Sequence, residues 1–201
     1  MKRLDHYWYT RSPWLLLLTP LSLLYRGIIS VRRFAYRAGI KRSTRVSLPV
    51  IVVGNITVGG TGKTPLVVWV ANYLREQGYI PGIVSRGYGG KANHWPQQAR
   101  ADSDPAVVGD EAVLLAVSTG CPMAVAPDRV AAARALVDQG DCDVIISDDG
   151  LQHYALQRDI EIAVIDGVRR FGNGHLLPAG PLREPEKRLQ EVDLVVVNGL
   201  G

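Results

Sequence analysis

The sequence predicts an α/β fold, in which a mostly parallel β-sheet is flanked by helices. From about residue 47 onward, short apolar runs rich in β-branched residues alternate with helical patterns. Such alternation is typical of parallel strands whose two faces are both covered. The first apolar run also stops at a glycine-rich turn. An apolar fraction of 47% with a charged fraction of 21% is typical of a folded chain.

The pattern places six strands and three helices in the main part of the chain. The predicted strands lie near 48–53, 80–85, 122–126, 143–147, 161–166 and 193–197, and the predicted helices near 64–77, 110–119 and 128–139.

The two cysteines form no CxxC pair and have no histidine at metal-ligand spacing, which argues against a zinc site or a disulfide framework.

Basic side chains are concentrated in the first 45 residues. This stretch holds ten lysines and arginines against one acid, whereas the other 156 residues hold thirteen basic and eighteen acidic side chains. The net charge of +4 therefore conceals a basic arm on a mildly acidic body. Such an arm favours nucleic acid or an anionic membrane surface as its partner. We assign residues 1–45 to the arm and 46–201 to the main domain, with residues 39–45 as the linker.

The apolar content of the arm decides between these partners. Residues 14–25 are apolar for about a dozen positions, fewer than the roughly 20 residues that span a bilayer, and no small-residue cleavage site follows as in a secretory signal. From Leu17 onward the spacing predicts an amphipathic helix with basic residues on one side. A helix of this kind lies in the headgroup region of an anionic membrane, and packing on its own domain is the alternative. Nucleic acid is not favoured, because phosphate contacts need no leucines. The apolar side comprises Leu17, Leu21, Leu24, Ile28, Val31 and Ala35. The polar side comprises Arg26, Ser30, Arg33 and Arg37. The flanking aromatic residues are Tyr7, Trp8, Tyr9, Trp14, Tyr25 and Tyr36.

A phosphate-binding motif follows the first predicted strand of the main domain. A glycine-rich turn leads into Gly62-Lys63-Thr64 at the start of a predicted helix. In a P-loop of this order, backbone N–H groups and the helix N-terminus converge on the phosphates. Lys63 reaches the β- and γ-phosphates, and the Thr64 hydroxyl ligates Mg²⁺. The predicted architecture is therefore of the P-loop NTPase type, preceded by an N-terminal amphipathic membrane-associating helix.

The motif departs from the consensus at Thr57, where glycine is expected. The later glycines Gly59, Gly60 and Gly62 are expected to supply the positive-φ turns and the close backbone approach. An ordinary glycine-rich turn between a strand and a helix is the alternative interpretation. The predicted nucleotide contacts are Thr57, Val58, Gly59, Gly60, Thr61, Gly62, Lys63 and Thr64.

Carboxylates follow two further predicted elements. Asp148 and Asp149 come directly after the apolar run 143–147, as in a Walker B element that holds Mg²⁺ directly or through water. Asp110 precedes an apolar helix, where a helix N-cap is the commonest role of an aspartate. In a phosphoryl-transfer site the same carboxylate could accept the proton of an attacking hydroxyl. The pattern alone favours the N-cap.

Two glycine-rich loops are candidates for the acceptor site. The first, residues 85–91, contains Arg86 and Tyr88 and could receive an anionic sugar or phosphate, or could be a flexible connector. The second, residues 169–185, is long, cationic and rich in proline and glycine, and loops of this length in compact domains are usually lids or binding loops. Within it Arg183 is the preferred phosphate ligand, because its planar fork can bind two oxygens.

These motifs together resemble those of the tetraacyldisaccharide 4′-kinases, the lipid A kinases of Gram-negative bacteria. The resemblance extends over nearly the whole chain and includes the leucine- and arginine-rich N-terminus. Five motifs occur in the family's order, at residues 57–64, 85–89, 108–111, 148–153 and 177–184.

The resemblance implies transfer of the ATP γ-phosphate to the 4′-hydroxyl of a tetraacylated glucosamine disaccharide 1-phosphate at the cytoplasmic face of the inner membrane. It implies Asp110 as the catalytic base, with Lys63 and Asp149 acting beside it. Asp148 and Thr64 become the magnesium ligands, and Arg86, Tyr88 and Arg183 the acceptor contacts. Members of the family have a second lobe with a histidine that partners the aspartate, and we expect this chain to represent the first lobe alone.

Two other functions fit parts of the sequence. A membrane-bound ATPase switch of the MinD/ParA kind shares the Gly-Gly-x-Gly-Lys-Thr core. Those proteins carry a signature lysine where this chain has Val58, and their membrane helix usually lies at the C-terminus. A nucleotide-binding fragment of the kinase without activity is the third interpretation.

Overall fold

The computed structural model describes residues 7–9 and 13–199. Seven strands lie in this part of the chain, and those in the centre of the sheet are buried along their whole length. Their β-branched sequences suit strands that are covered on both faces. The strands are β1 (Val50–Gly54), β2 (Pro81–Ser85), β3 (Gln97–Gln98), β4 (Met123–Val125), β5 (Val144–Asp148), β6 (Ile160–Asp166) and β7 (Leu194–Asn198).

The sheet has the strand order β3-β4-β2-β5-β1-β6-β7. The pairs β1–β5, β2–β5 and β2–β4 are parallel, and the short β3 is antiparallel to β4. β1 therefore has β5 as a direct neighbour, although about 90 residues separate them in sequence. The predicted α/β class with a mostly parallel sheet is confirmed.

Five α-helices accompany these strands in the described residues. The last of them, Arg129–Gln139, has ordinary caps: the Asp128 side chain accepts a hydrogen bond from Val130 N, and Gly140 closes the helix in the left-handed conformation. The helices are α1 (Thr19–Arg37), α2 (Lys63–Glu76), α3 (Pro105–Val108), α4 (Asp110–Thr119) and α5 (Arg129–Gln139), with 3-10 turns at Pro13–Leu18 and Glu186–Gln190.

Helix α1 buries one narrow face and exposes a wide one. Ser22 is buried, and the half-buried positions Tyr25, Ile29 and Arg33 lie above it at helical spacing. The predicted apolar stripe does not pack on the chain, and five of its large side chains are more than half exposed. In the described residues, no helix combines the length and the hydropathy that crossing a membrane requires. The five exposed residues are Leu17, Leu21, Leu24, Ile28 and Val31.

The chain divides into two compact units. The first combines residues up to Lys41 with Asn55–Gly62 and Ala163–Gly201, and the second combines Arg42–Gly54 with Lys63–Ile162. The P-loop sequence is therefore shared, with its glycine-rich part in the first unit and its Lys63-Thr64 end in the second. The functional division into an arm (1–45) and a kinase domain (46–201) remains a prediction.

The predicted elements agree with the structure within two residues at each end. The two-residue β3 and the one-turn helix α3 were not predicted, because both are too short to show a periodic pattern. Four charged residues of the predicted arm, Lys2, Arg3, Asp5 and Arg11, and the side chain of Trp14 lie outside the described part of the chain.

Candidate active site

Within the second unit, Lys63 lies beside the acids at the end of β5. Val53 of β1 is in register with Asp148, the last residue of β5. Since the two strands are parallel, their carboxyl ends lie at the same edge of the sheet, where ligands bind in this fold class. Helix α2 begins at Lys63, whose Nζ lies 3.6 Å from Asp149 Oδ1. The chain thus brings a lysine at a helix start to a pair of carboxylates.

Asp148 is a buried carboxylate with unused hydrogen-bonding capacity. It is 4% exposed, and its Oδ2 accepts a long hydrogen bond of 3.4 Å from Ser85 Oγ. Its Oδ1 has no hydrogen-bond partner in the described part of the chain. Burial and, next, the charge of Asp149 raise the pKa of Asp148 to about 6, against the opposing charge of Lys63. When this buried carboxylate is ionised, a positive charge beside it would stabilise it.

A buried arginine supports the end of the same strand. Arg129 is 2% exposed, and its two Nη atoms donate to the backbone carbonyls of Asp148 and Ala126, each at 3.1 Å. Burial lowers the pKa of Arg129 to about 10, while the charges of Asp148 and Asp149 act to raise it. The guanidinium is therefore protonated at neutral pH and places a fixed positive charge behind the carboxylates.

The loop after Asp148 is held by Arg158. Asp149 adopts φ 49°, a left-handed conformation that aspartate tolerates better than most residues. Beyond it, the Arg158 guanidinium spans the loop and is 2.8 Å from Glu161 Oε1. This one side chain donates to three backbone carbonyls and one carboxylate, those of Leu151, His153, Leu156 and Glu161.

The glycine-rich loop, Asn55–Gly62, belongs to the first unit. Gly59 and Gly62 have φ values of 108° and 85°, which glycine alone adopts easily. Gly60 does not have a positive φ, so that part of the prediction is wrong. A Cβ at Gly62 would overlap the side-chain amide of Asn198, which donates to Thr61 O at 3.3 Å.

The long cationic loop pairs with the start of the glycine-rich loop. Val58 N donates to Pro181 O at 2.8 Å, and Arg183 N donates to Ile56 O at 2.7 Å. Thr57 and Leu182 form an antiparallel bridge between these two bonds. Residues 181–183 are thus fixed by backbone pairing in the first unit.

Asp110 lies at the first position of helix α4, where its side chain is exposed. The N-cap interpretation is wrong, because Gly109 occupies the cap position, with φ 93°. A Cβ at Gly109 would meet the Tyr88 carbonyl, so the loop after β2 packs directly against the start of this helix. The negative charge of the next residue, Glu111, is close enough to Asp148 to contribute to raising the pKa of Asp148.

The three predicted acceptor residues are divided between the two units. Arg86 and Tyr88 are exposed in the second unit, with Tyr88 76% exposed. The positive charge of Arg86 is close enough to Arg129 to contribute to lowering the pKa of Arg129. Arg183 is half-buried in the first unit, and its backbone is fully engaged.

The residues at the end of β5 fit a divalent cation. In the described chain, no group of three or more His, Cys, Asp or Glu side chains is arranged to hold a metal by itself. Mg²⁺ in phosphoryl-transfer sites, however, takes one or two protein ligands and completes its shell with phosphate oxygens and water. The unpaired Oδ1 of Asp148 is a ligand of that kind, and Thr64 is the second residue of helix α2.

Four residues that contact or act on the candidate groups had no role in the sequence-based prediction: Ser85, Glu111 and Arg129 in the second unit, and Asn198 in the first. Ser85, Arg129 and Asn198 lie at or just after the carboxyl end of a strand. Because ligands bind at that edge in this fold class, this position is the one local signal that could have indicated them. Their partners lie between about 20 and 140 residues away in sequence, and no local pattern indicates those distances.

A parallel sheet, a glycine-rich loop after its β1 strand and acids at the end of the adjacent strand define a P-loop nucleotide-binding protein. Within that class, the chain belongs to the tetraacyldisaccharide-1-P 4′-kinase family, whose model matches residues 14–201. The resemblance drawn from the motifs is therefore confirmed.

Relatives carrying the name tetraacyldisaccharide 4′-kinase are similar over almost the whole chain. That of Nitrosococcus oceani is 62% identical over 96% of this chain and 57% of its own length. That of Aeromonas hydrophila is 58% identical over 98% of this chain and 59% of its own. The crystal structure of LpxK from Aquifex aeolicus in complex with ATP superposes with a TM-score of 0.83 at 32% identity, over 92% of this chain and 59% of that one. The chain thus spans somewhat under three-fifths of the length of these proteins.

Proposed function

We propose that this chain binds ATP and transfers its γ-phosphate to the 4′-hydroxyl of a tetraacylated glucosamine disaccharide 1-phosphate. The names of its relatives support the reaction, and the ATP complex of the Aquifex aeolicus protein supports the phosphate donor. Because the chain covers less than two-thirds of those proteins, the proposal concerns what its own residues contribute.

One observation carries the proposal: the 3.6 Å approach of Lys63 Nζ to Asp149 at the start of helix α2. A lysine is needed here to neutralise the β- and γ-phosphates, and a carboxylate is needed within reach of their cation. In the structure these two charges pair with each other. In the proposed complex Lys63 would contact the phosphates instead, while Asp148 would be available to a cation bound with them.

In the proposed reaction the acceptor oxygen attacks the γ-phosphorus while the bond to the β,γ-bridging oxygen breaks, releasing ADP. The proton of the acceptor hydroxyl passes to the Asp110 carboxylate. Lys63 and the backbone N–H groups of residues 59–64 stabilise the charge of the transferring group. Positioning and electrostatics supply most of the rate in such reactions.

Asp148 and Thr64 are the residues that would hold Mg²⁺, which, when bound, neutralises charge on the β- and γ-phosphates. The unpaired oxygen of Asp148 supports this assignment. Arg86, Tyr88 and Arg183 are the proposed contacts of the acceptor, through its phosphate and its sugar rings.

We infer that the chain lies on the anionic surface of the bacterial inner membrane, as a peripheral protein on its cytoplasmic face. The exposed apolar stripe of helix α1 and its neighbouring arginines support this inference. Leucine and isoleucine side chains enter the headgroup region, while arginines attract anionic lipids. The sugar rings of the acceptor would then reach the site while its acyl chains remain in the bilayer.

The substitution Lys63→Ala tests the proposal most simply. We expect it to weaken ATP binding and to lower phosphate incorporation into the lipid acceptor by roughly 10²- to 10³-fold, as removal of a transition-state donor does. The exposed Lys187 provides the matched control, and Lys187→Ala should leave both quantities unchanged. Undiminished transfer by the Lys63 variant would remove the P-loop role, and ATP-dependent dimerisation without transfer would favour the ATPase switch.

A further inference from the structure

Helix α1 is tied by its buried face to the long loop that follows β6. Ser22 Oγ donates to Leu176 O at 2.8 Å, in a buried contact that spans 154 residues of sequence. Tyr25 OH donates to Arg183 O at 3.0 Å. Serines within helices commonly donate to the carbonyl four residues earlier, but here the hydroxyl satisfies a carbonyl of another segment. These two bonds hold both ends of segment 176–183.

The same segment is paired with the glycine-rich loop on its other side. Arg183 carries both connections: its carbonyl accepts from Tyr25 OH, and its N–H donates to Ile56 O at 2.7 Å. Pro181 accepts from Val58 N at 2.8 Å. One peptide segment therefore lies between the buried face of helix α1 and residues 56–58, at the beginning of the proposed nucleotide loop.

Ion pairs extend this connection along the helix. Arg37 Nη2 lies 2.6 Å from Glu191 Oε2, and Arg33 also contacts Glu191. Arg33 Nε lies 4.0 Å from the buried Glu184, next to Arg183 in the sequence. Burial and, next, the charge of Glu184 raise the pKa of the Tyr25 phenol, which favours the protonated form that donates the hydrogen bond.

We propose that Ser22 and Tyr25 are positioning residues for the glycine-rich loop (Asn55–Gly62), where the nucleotide is proposed to bind, and that they act through segment 176–183. This inference rests on the proposed function, because it assigns to helix α1 a role in ATP binding in addition to its role at the membrane. The two roles lie on opposite faces: the hydroxyls face the segment, and Leu24 and Ile28 face solvent. Substitutions can therefore separate them.

The experiment uses the whole chain with Ser22→Ala, Tyr25→Phe and the double variant. Ser30→Ala is the matched control, since Ser30 is an exposed serine of the same helix. We expect each single variant to raise the Kd for ATP roughly two- to tenfold, the loss of about one hydrogen bond, and the double variant to raise it further. Ser30→Ala should leave the Kd unchanged. Binding of all four variants to vesicles containing anionic lipid should equal that of the wild type.

A second measurement keeps the inference testable without nucleotide. Amide hydrogen exchange should become faster at Val58 and Arg183 in the double variant, while the amides of β5 exchange as in the wild type. Equal exchange at Val58 and Arg183, or faster exchange throughout the chain, would overturn the positioning role. The positioning role would also be overturned if the wild type binds ATP and the double variant binds it with the same Kd. Failure of the wild type itself to bind ATP would instead contradict the proposed function.

Discussion

Asp148 is the residue on which the fold and the proposed chemistry place opposite demands. Its burial at the end of β5 disfavours the ionised form, and its pKa is raised to about 6. Metal binding requires that same ionised form. The folded state without metal therefore binds a proton more tightly than the unfolded chain does, and its stability must fall as the pH rises through the raised pKa.

The substitution Asp148→Asn tests this residue directly. With divalent ions chelated, we expect the wild type to lose about 1 kcal/mol of unfolding free energy between about pH 5 and about pH 7.5 through this group. The asparagine variant lacks the titrating group and should lose correspondingly less. Chemical denaturation of both proteins at the two pH values gives the comparison, and parallel pH dependences would contradict the assigned pKa.

Arg158 is expected to matter for stability rather than for the reaction itself. Arg158→Gln removes a charge that contacts the buried Glu161 and donates to three loop carbonyls. We expect a loss of about 2–4 kcal/mol in the free energy of unfolding.

Arg134 is an exposed arginine of helix α5 and serves as the control for that variant. Arg134→Gln should change the free energy of unfolding by less than about 0.5 kcal/mol. Urea denaturation of the two variants measures both values, and a similarly small loss for Arg158→Gln would show that the loop does not depend on this side chain.

At the scale of elements, helix α1 shows how far periodicity can be trusted. The spacing of Leu17, Leu21, Leu24 and Ile28 predicted a one-sided apolar helix, and the structure places these side chains in solvent. Periodicity alone could not reveal which face packs against the chain. The contacts of Ser22 and Tyr25 are made to residues more than 150 positions away, so the buried face depends on tertiary structure that no local pattern encodes.

Substitutions in the exposed stripe test the proposed membrane surface. Leu24→Gln combined with Ile28→Gln should weaken binding to vesicles containing anionic lipid by roughly tenfold or more, because two apolar side chains that would enter the headgroup region are lost. Ile40→Gln, an equally exposed residue beyond the helix, should have little effect. Unchanged co-sedimentation of the double variant would reject the membrane role of this helix.

For the whole molecule, the sequence predicted what is local and missed what is distant. The strand, glycine-rich turn and Gly-Lys-Thr sequence follow one another in the chain, so their arrangement could be predicted from known backbone geometry. The adjacency of β1 and β5, the Asn198 contact with Thr61 and the place of Arg129 behind Asp148 all join distant segments. Nothing in the local sequence gives those contacts.

In the proposed complex, the terminal phosphates of ATP bind between the end of β1 and the start of helix α2. A crystal structure of this chain with Mg²⁺ and a non-hydrolysable ATP analogue tests the claim most directly. We predict that the β- and γ-phosphates lie against the backbone of residues 59–64, with Lys63 Nζ turned from Asp149 to the phosphate oxygens. An analogue bound elsewhere, with Lys63 still paired to Asp149 beside an empty loop, would contradict the account.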